Sequence, residues 1–395
     1  MRISTVTYQD NALYYMELLQ SQIAKTQSQL SSGQRLQSAA DDPAAMTQVN
    51  QLNGQLSATQ QYATNGNAAT TGLQLEEQAL SDATNVLQSA RDLAVQANDG
   101  SMSPSARQDI ATQLQQQLQD LVAIGNRTDG SGRYLFSGYA DMTQPFAQSA
   151  IGVSYAGTQG VRQIQVGASQ FVSAGDAGDA VFMNVPAGNG TFVSTVNGAN
   201  TGTASIDAGS VINKAAWVPD TYTISFSSPT TYQVTNSANT VVASGTYTSG
   251  QSIAFQGVQV TLSGTPAVGD RFNVVPAGKA SVFSTLSNLA TALSSSGLTS
   301  AQITTRIGRA LQQIDNAINQ FSSVSASAGA RLNSVATAQA AGQTTQTDLK
   351  SSISQLSDTD YASAVTQLST EQVTLQAAQQ SYALIAKLSL FNYVS

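Results

Sequence analysis

A chain of 395 residues has room for two or three domains, yet with aromatics at 6%, charged residues at 10% and long tracts of Gln, Ser, Thr, Asn and Ala, its cores must be thin. His and Cys are both absent, which removes the commonest general base, the usual metal ligand and every thiolate nucleophile. A formal charge of -7 without a basic run excludes a phosphate-binding surface for nucleic acid and offers an anionic membrane nothing to attract.

The N-terminal "MRISTVTYQDNALYYMELL" has no apolar run ending in a small-residue cleavage site, so it does not read as a cleaved secretory signal. No stretch is apolar for long enough to span a bilayer, and the lack of Cys suits a protein exported without disulfides. Over residues 6–31, Val6, Leu13, Met16, Ile23 and Leu30 fall on heptad spacing, with Leu19 close to the same line. Gln20 and Gln27 dilute that seam. Gly33 then stands where a left-handed helix C-cap belongs.

The stretch "LSSGQRLQSAADDPAA" at 30–45 carries Asp41 and Asp42 side by side ahead of Pro43. Adjacent carboxylates with no His and no further acid close by cannot easily flank a substrate bond. As helix starters they make sense: a carboxylate accepts the free amides of the first turn, and proline there lacks only a donor that would go unpaired. Gly33, Arg35, Asp41, Asp42 and Pro43 are therefore read as a connector between two helical domains.

From about 44 to 98, apolar residues recur by threes and fours, as in Val49, Leu52 and Leu56 and again in Leu80, Ala83, Leu87, Ala90 and Ala94, which predicts one helix of ~50 residues. Ser103 and Pro104 open a shorter one bearing Ile110, Leu114, Leu118, Leu121 and Ile124. Between about 140 and 280 Gly, Thr, Val and Ser dominate, and runs such as "DTYTISF" and "VQVTL" read as strands. After Thr299 the helical rhythm returns for ~50 residues, up to the break "SDTD" at 357–360. Beyond it Tyr361, Leu368, Leu375 and Tyr382 are spaced by seven, and Ala364, Ala378 and Ile385 share a second line with Glu371.

These segments predict an α+β fold: an elongated antiparallel helical rod and coiled coil formed by both chain termini, with an inserted all-β outer domain. The expected domains are a terminal coiled coil (1–42 and 358–395), a helical rod with a hairpin (43–144 and 281–357) and the β-rich outer domain (145–280). The diluted seams imply that the terminal domain is disordered in the monomer and folds when neighbouring copies cover it.

"LSSGQRLQSAADDPAA" resembles the N-terminal signature of bacterial flagellins and flagellin-like hook-associated proteins. "GARLNSV" at 329–335 and the segment from Tyr361 to Val394 resemble the other half of that family's terminal pairing. "GRYLFSGYADMTQPF" at 132–146 and "VGDRFNVVPAG" at 268–278 are similar to the hook-associated branch rather than to flagellin. The resemblance implies a structural subunit of the bacterial flagellum, outside the cell, that leaves through the flagellar type III export channel without a cleaved signal peptide. Its implied partners are copies of itself in a ring, the first hook-associated protein, flagellin and a flagellar export chaperone; no cofactor, nucleic acid or membrane is implied. The segment at 87–99 resembles the flagellin stretch recognised by a vertebrate innate receptor, with Arg91 and Leu93 matching and Ser89 departing from it.

Three other readings stay open at this level. One is a flagellin filament subunit. Another is a secreted glycan-binding adhesin, its β head on a helical stalk, using Trp217, Tyr222, Tyr232 and Tyr247 to stack on sugars. The third is an enzyme, against which the candidates Asp270 with Arg271, and Asp176, Asp179 and Asp207, read as solvated turn residues.

Overall fold

The computed structural model describes residues 5–150 and 152–387. The chain divides into two units, Met1–Thr64 with Ala338–Ser395, and Asn65–Thr337.

The first unit holds α1 (Thr5–Ser32), the opening part of α2 (Pro43–Ala97), the closing part of α5 (Ser300–Ser357) and α6 (Tyr361–Lys387). α1 and α6 lie antiparallel, since Gln29 meets Thr359 while Thr26, earlier in α1, meets Glu371, later in α6. Its apolar core is small: Leu36, Ala45 and Val49 pack with Met46, Ile353 and Leu356. Among the described residues of α1 and α6, only Thr26, Ala364 and Glu371 are buried.

The second unit is richer in apolar contacts. The remainder of α2 supplies Leu80, Ala83, Leu87 and Ala90, and α3 (Pro104–Gly125) supplies Ile110, Leu114, Leu118 and Leu121. α4 (Val282–Ser294) adds Phe283, Leu286 and Leu289, and α5 adds Ile303, Ile307, Ile314 and Phe321. Caps are made as the residue types require: Ser103 accepts the Ala106 amide ahead of Pro104, and Ser281 accepts the amide of Ser284. α4 stands ahead of the helix expected after Thr299. Its signal lay in "VFSTLSNLATALS", where Val282, Phe283, Leu286, Leu289, Ala290 and Leu293 form one buried stripe.

The β-rich region divides in two. Strands β1 (Phe146–Ser149) and β2 (Gly152–Tyr155), the hairpin of β3 (Gln163–Gln165) with β4 (Phe171–Ser173), a π-helical turn at Asp179–Met183 and β5 (Val185–Pro186) come first. Phe146, Val181, Phe182 and Val185 belong to the helical core, so 146–186 does not join the outer β core expected over 145–280. Asn126 at the end of α3 holds Phe146 at both backbone groups, donating to its carbonyl (2.8 Å) and accepting its amide (2.9 Å).

The separate β core follows in β6 (Phe192–Val196), β7 (Ser205–Ile206), β8 (Ser210–Val211), β9 (Tyr222–Ser228), β10 (Thr231–Thr235), β11 (Val241–Thr246), β12 (Ser252–Phe255), β13 (Val258–Ser263) and β14 (Arg271–Pro276). One antiparallel sheet runs β11-β10-β9-β14-β6; the other runs β12-β13-β7, with β8 also on β13. Alternation along "YTISFSS" buries Tyr222, Ile224 and Phe226, which pack with Val260, Leu262, Phe272 and Val274. β15 (Lys279–Ala280) then pairs with β5 and returns the chain to α4.

Phe182 joins strand-rich segment to helices. Its ring lies 5.1 to 5.7 Å, centroid to centroid, from Phe136, Phe146, Phe283 and Phe321, three of these contacts being edge to face. Phe182→Ala is expected to lower the unfolding free energy by about 3 to 5 kcal/mol. Urea titration followed by far-UV circular dichroism checks this; a midpoint equal to that of the wild type would refute the role given to the ring.

Candidate functional site

The connector at 33–43 is built from backbone requirements. Gly33 adopts φ +72° and donates its amide to Gln29 O (2.9 Å), closing α1. A Cβ there would be 3.0 Å from the Tyr361 hydroxyl. Gln34 pairs with Asp358 in a single antiparallel bridge, Thr359 N donates to Gly33 O (2.9 Å), and Arg35 N donates to Ser357 O (2.7 Å). The Arg35 guanidinium reaches Leu356 O (2.5 Å), placing a cation on the unpaired carbonyls that end α5.

The two aspartates divide the work. Asp42 caps α2, accepting Ala45 N on Oδ1 (3.0 Å) ahead of Pro43. Asp41 does not start the helix, contrary to the expectation from sequence. Its Oδ2 accepts the amides of Gln37 (3.1 Å) and Ser38 (2.9 Å), and Oδ1 meets Lys25 Nζ of α1 at 2.8 Å. The Lys25 ammonium, followed by those two amides, holds its carboxyl well below the usual carboxylate range. Asp360 repeats the capping role for α6, accepting Ala362 N (3.0 Å).

Along α1 the inward line is Ala12, Met16, Leu19, Ile23, Thr26 and Leu30, all half-buried except the buried Thr26. Leu13 falls outside it, 44% exposed, because seven residues back from Ile23 and Met16 the line reaches Gln9, with Ala12 beside it. On α6, Leu368, Leu375 and Tyr382 are half-buried on one line with Ala364, Glu371 and Ala378, whereas Tyr361 is exposed beside Gly33. The side chains of Val6 and Ile385 lie outside the described residues. Thr26 Oγ1 donates to Glu371 Oε2 (3.0 Å), and Gln367 Nε2 donates to Glu371 Oε1 (2.8 Å). Away from this seam Tyr8, Tyr14, Tyr15, Leu18, Val365, Val373 and Leu384 are exposed.

The acidic candidates for catalysis are committed elsewhere. Asp270 accepts the amides of Thr201, Gly202 and Ala267, and Asp207 accepts those of Gly209 and Thr261. Asp179 accepts Asn184 Nδ2, and Asp176 is ion-paired with Arg331. Among the described residues no three acidic side chains meet as a metal cluster, and no helix is long and apolar enough to cross a membrane. Trp217 packs on Phe192 and Tyr222, and Tyr247 donates to the carbonyl of Gly264 from within the β core, so these rings are part of its packing. In the 87–99 segment Arg91 is tied to Asp315 at 2.8 Å.

One functional group escaped the sequence reading. Glu76 of α2 is 1% exposed and faces the Asp176–Arg331 pair, with Asp176 as its nearest polar neighbour. Burial first, then the charge of Asp176, raises its pKa from 4.5 to about 8 against the opposing pull of Arg331. The available signal was its spacing, since it falls on the buried stripe between Leu73 and Leu80.

Comparison with known proteins gives a consistent pattern. Residues 3–141 match the model of the bacterial flagellin N-terminal helical region, 311–394 that of the bacterial flagellin C-terminal helical region, and 195–276 that of the flagellar hook-associated protein 1 D2-like domain. Flagellar hook-associated protein 3 of Escherichia coli is 34% identical over 186 residues, a match spanning 47% of this chain and 58% of that protein. The crystal structure of Xanthomonas campestris FlgL is similar at 33% identity and TM-score 0.72, over 77% of this chain and 99% of that one. The crystal structure of the flagellar junction protein FlgL from Legionella pneumophila is similar at 32% identity and TM-score 0.70, over 79% and 100%.

Gly33→Ala forces an L side chain into a left-handed backbone against Tyr361, at an expected cost of about 1 to 2 kcal/mol. Faster amide exchange at 34–41 in the variant checks this, and unchanged exchange would refute it. For Glu76 the native state keeps, between pH 4.5 and about 8, a proton that the unfolded chain releases, so its contribution to stability falls as pH rises through that window. Glu76→Gln is therefore expected to melt close to the wild type near pH 4.5 and increasingly above it toward pH 8. Parallel melting temperatures across that range would refute the assignment.

Proposed function

This chain belongs to the FlgL family of flagellar hook-associated proteins, flagellin-like in both terminal regions, and on that premise we propose that it is a structural subunit joining the flagellar hook to the filament. It assembles outside the cell as a ring of its own copies, between the first hook-associated protein and flagellin, after delivery by an export chaperone. It works by packing and not by catalysis.

The observation that carries this reading is the sparse burial along α1 and α6. A fully buried Leu, Ile or Met contributes about 1.5 to 3 kcal/mol, while ordering the backbone costs about 1 to 2 kcal/mol per residue. With Thr26, Ala364 and Glu371 as the buried side chains among the described residues of two helices of 28 and 27 residues, an isolated pair cannot offset that cost. The exposed Tyr14, Leu18, Val373 and Leu384 supply what neighbouring copies can cover. Helices α1 and α6 thus gain their order on assembly.

A filament subunit is the less favoured reading, because the flagellar junction protein FlgL from Legionella pneumophila is matched over its whole length at 32% identity and TM-score 0.70. The adhesin reading loses its platform with Trp217, Tyr222 and Tyr247 packed in the β core.

Deleting the gene is expected to leave hooks without filaments and to release flagellin into the medium, seen by electron microscopy and immunoblotting. Filaments persisting on those hooks would overturn the junction role. Hydrogen exchange on the free monomer should show weak protection at both ends that becomes strong in the polymer; strong protection already in the monomer would sink the assembly account.

A further inference from the structure

Arg306 and Arg309 stand three residues apart on one face of α5 and line a half-open recess of about 290 Å³ bordered by α4 and by Ala187, Gly188 and Val193. No carboxylate lines it. Among the described residues neither guanidinium has an ion-pair or hydrogen-bond partner, whereas Arg91, Arg127 and Arg331 each have a carboxylate. In a chain with 16 basic and 23 acidic residues, two adjacent cations without a counter-charge are unexpected. Like charges at this helical spacing repel one another. Burial, then the charge of Arg306, already lowers the pKa of the half-buried Arg309.

The rest of the wall suits a small anion. Asn288 of α4 adds an amide without a partner among the described residues, and Gln313 is held in place by its bond to Pro186 O. A narrow recess shared by Arg309 reaches Ser194, which is 5% exposed and whose hydroxyl has no hydrogen-bond partner. Asp207 also borders that recess, but its Oδ1 is engaged by the amides of Gly209 and Thr261 and it makes no ion pair with Arg309. Guanidinium forks match the oxygens of carboxylate and phosphate groups. The volume lies at the lower edge of small-molecule pockets, roughly 300 to 1,000 Å³.

We propose that this cavity is an oxyanion site in which Arg306 and Arg309 together hold one small phosphate or carboxylate group. The group belongs either to a free anion or to an acidic side chain of a neighbouring subunit.

Titration calorimetry of the full chain with inorganic phosphate, and separately with citrate, in low-chloride buffer tests the site. Saturable binding is expected, weakened by about tenfold or more in Arg306→Gln and in Arg309→Gln, with a smaller loss in Arg309→Lys, which keeps the charge but not the fork. Melting curves establish that each variant is folded, and the Lys variant still decides if a Gln variant is not. No saturable binding of either anion to the wild type, or equal affinity in all three variants, overturns the proposal. A second arm rests on the junction reading and distinguishes the source of the anion. If saturating phosphate and Arg309→Gln each slow polymerisation, the site is filled by a neighbour's carboxylate; if phosphate binds and polymerisation is unchanged, it is filled by a free anion. The calorimetric result stands apart from polymerisation, so failure of the site and failure of the junction reading remain separate outcomes.

Discussion

The hydrogen bond between Thr26 and Glu371 lies on the α1–α6 seam toward the connector, where a self-sufficient coiled coil would carry Leu or Ile. A polar pair at such a place sets register but adds little apolar burial. Met16, Leu19, Ile23, Leu368 and Leu375 surround it only half-buried, so the two helices recognise each other without sealing. The paired helices consequently retain exposed apolar side chains, Tyr14, Leu18, Val373 and Leu384 among them, that further contacts can cover.

The connector converts this loose pair into a defined geometry through backbone chemistry. Gly33 turns the chain, Arg35 and the Gln34–Asp358 bridge fasten it to the end of α5, and Asp41 fastens it to Lys25. Few of these contacts depend on hydrophobic burial. They persist where apolar residues are scarce because amide, carboxylate and guanidinium groups offer short directional bonds. The depressed pKa of Asp41 follows from the same arrangement.

The unit at 65–337 follows a different logic. Its helices bury Leu, Ile and Phe side chains in continuous stripes, Phe182 welds the strand-rich 146–186 segment to them, and a second core forms between two small sheets. Into this well-filled interior Glu76 brings a buried carboxyl next to the Asp176–Arg331 ion pair. The Arg306–Arg309 pair is the counterpart on a cavity wall, two cations without an ion-pair partner among the described residues. In each case an ionisable group stands in a position that packing alone would not select.

Periodicity in the sequence was enough to determine the long helices α2 and α5, the third helix with its Ser103–Pro104 start, the Gly33 and Asp42 caps and the strand-rich insert. These are local properties, written in 3.6-residue spacing, alternation and the conformational limits of Gly and Pro. The N-terminal signature also carried the resemblance to the family whose N-terminal helical region matches residues 3–141. Tertiary structure alone decided which line of α1 faces inward, since it is Ala12 that packs toward the partner helix while the larger and more apolar Leu13 is left exposed. It alone moved Asp41 from helix start to turn closure, brought 146–186 onto the helical core, and set Glu76 against Asp176 and Arg331, residues 100 and 255 positions further along the chain. Contacts over such separations depend on how elements pack, and no local pattern encodes them.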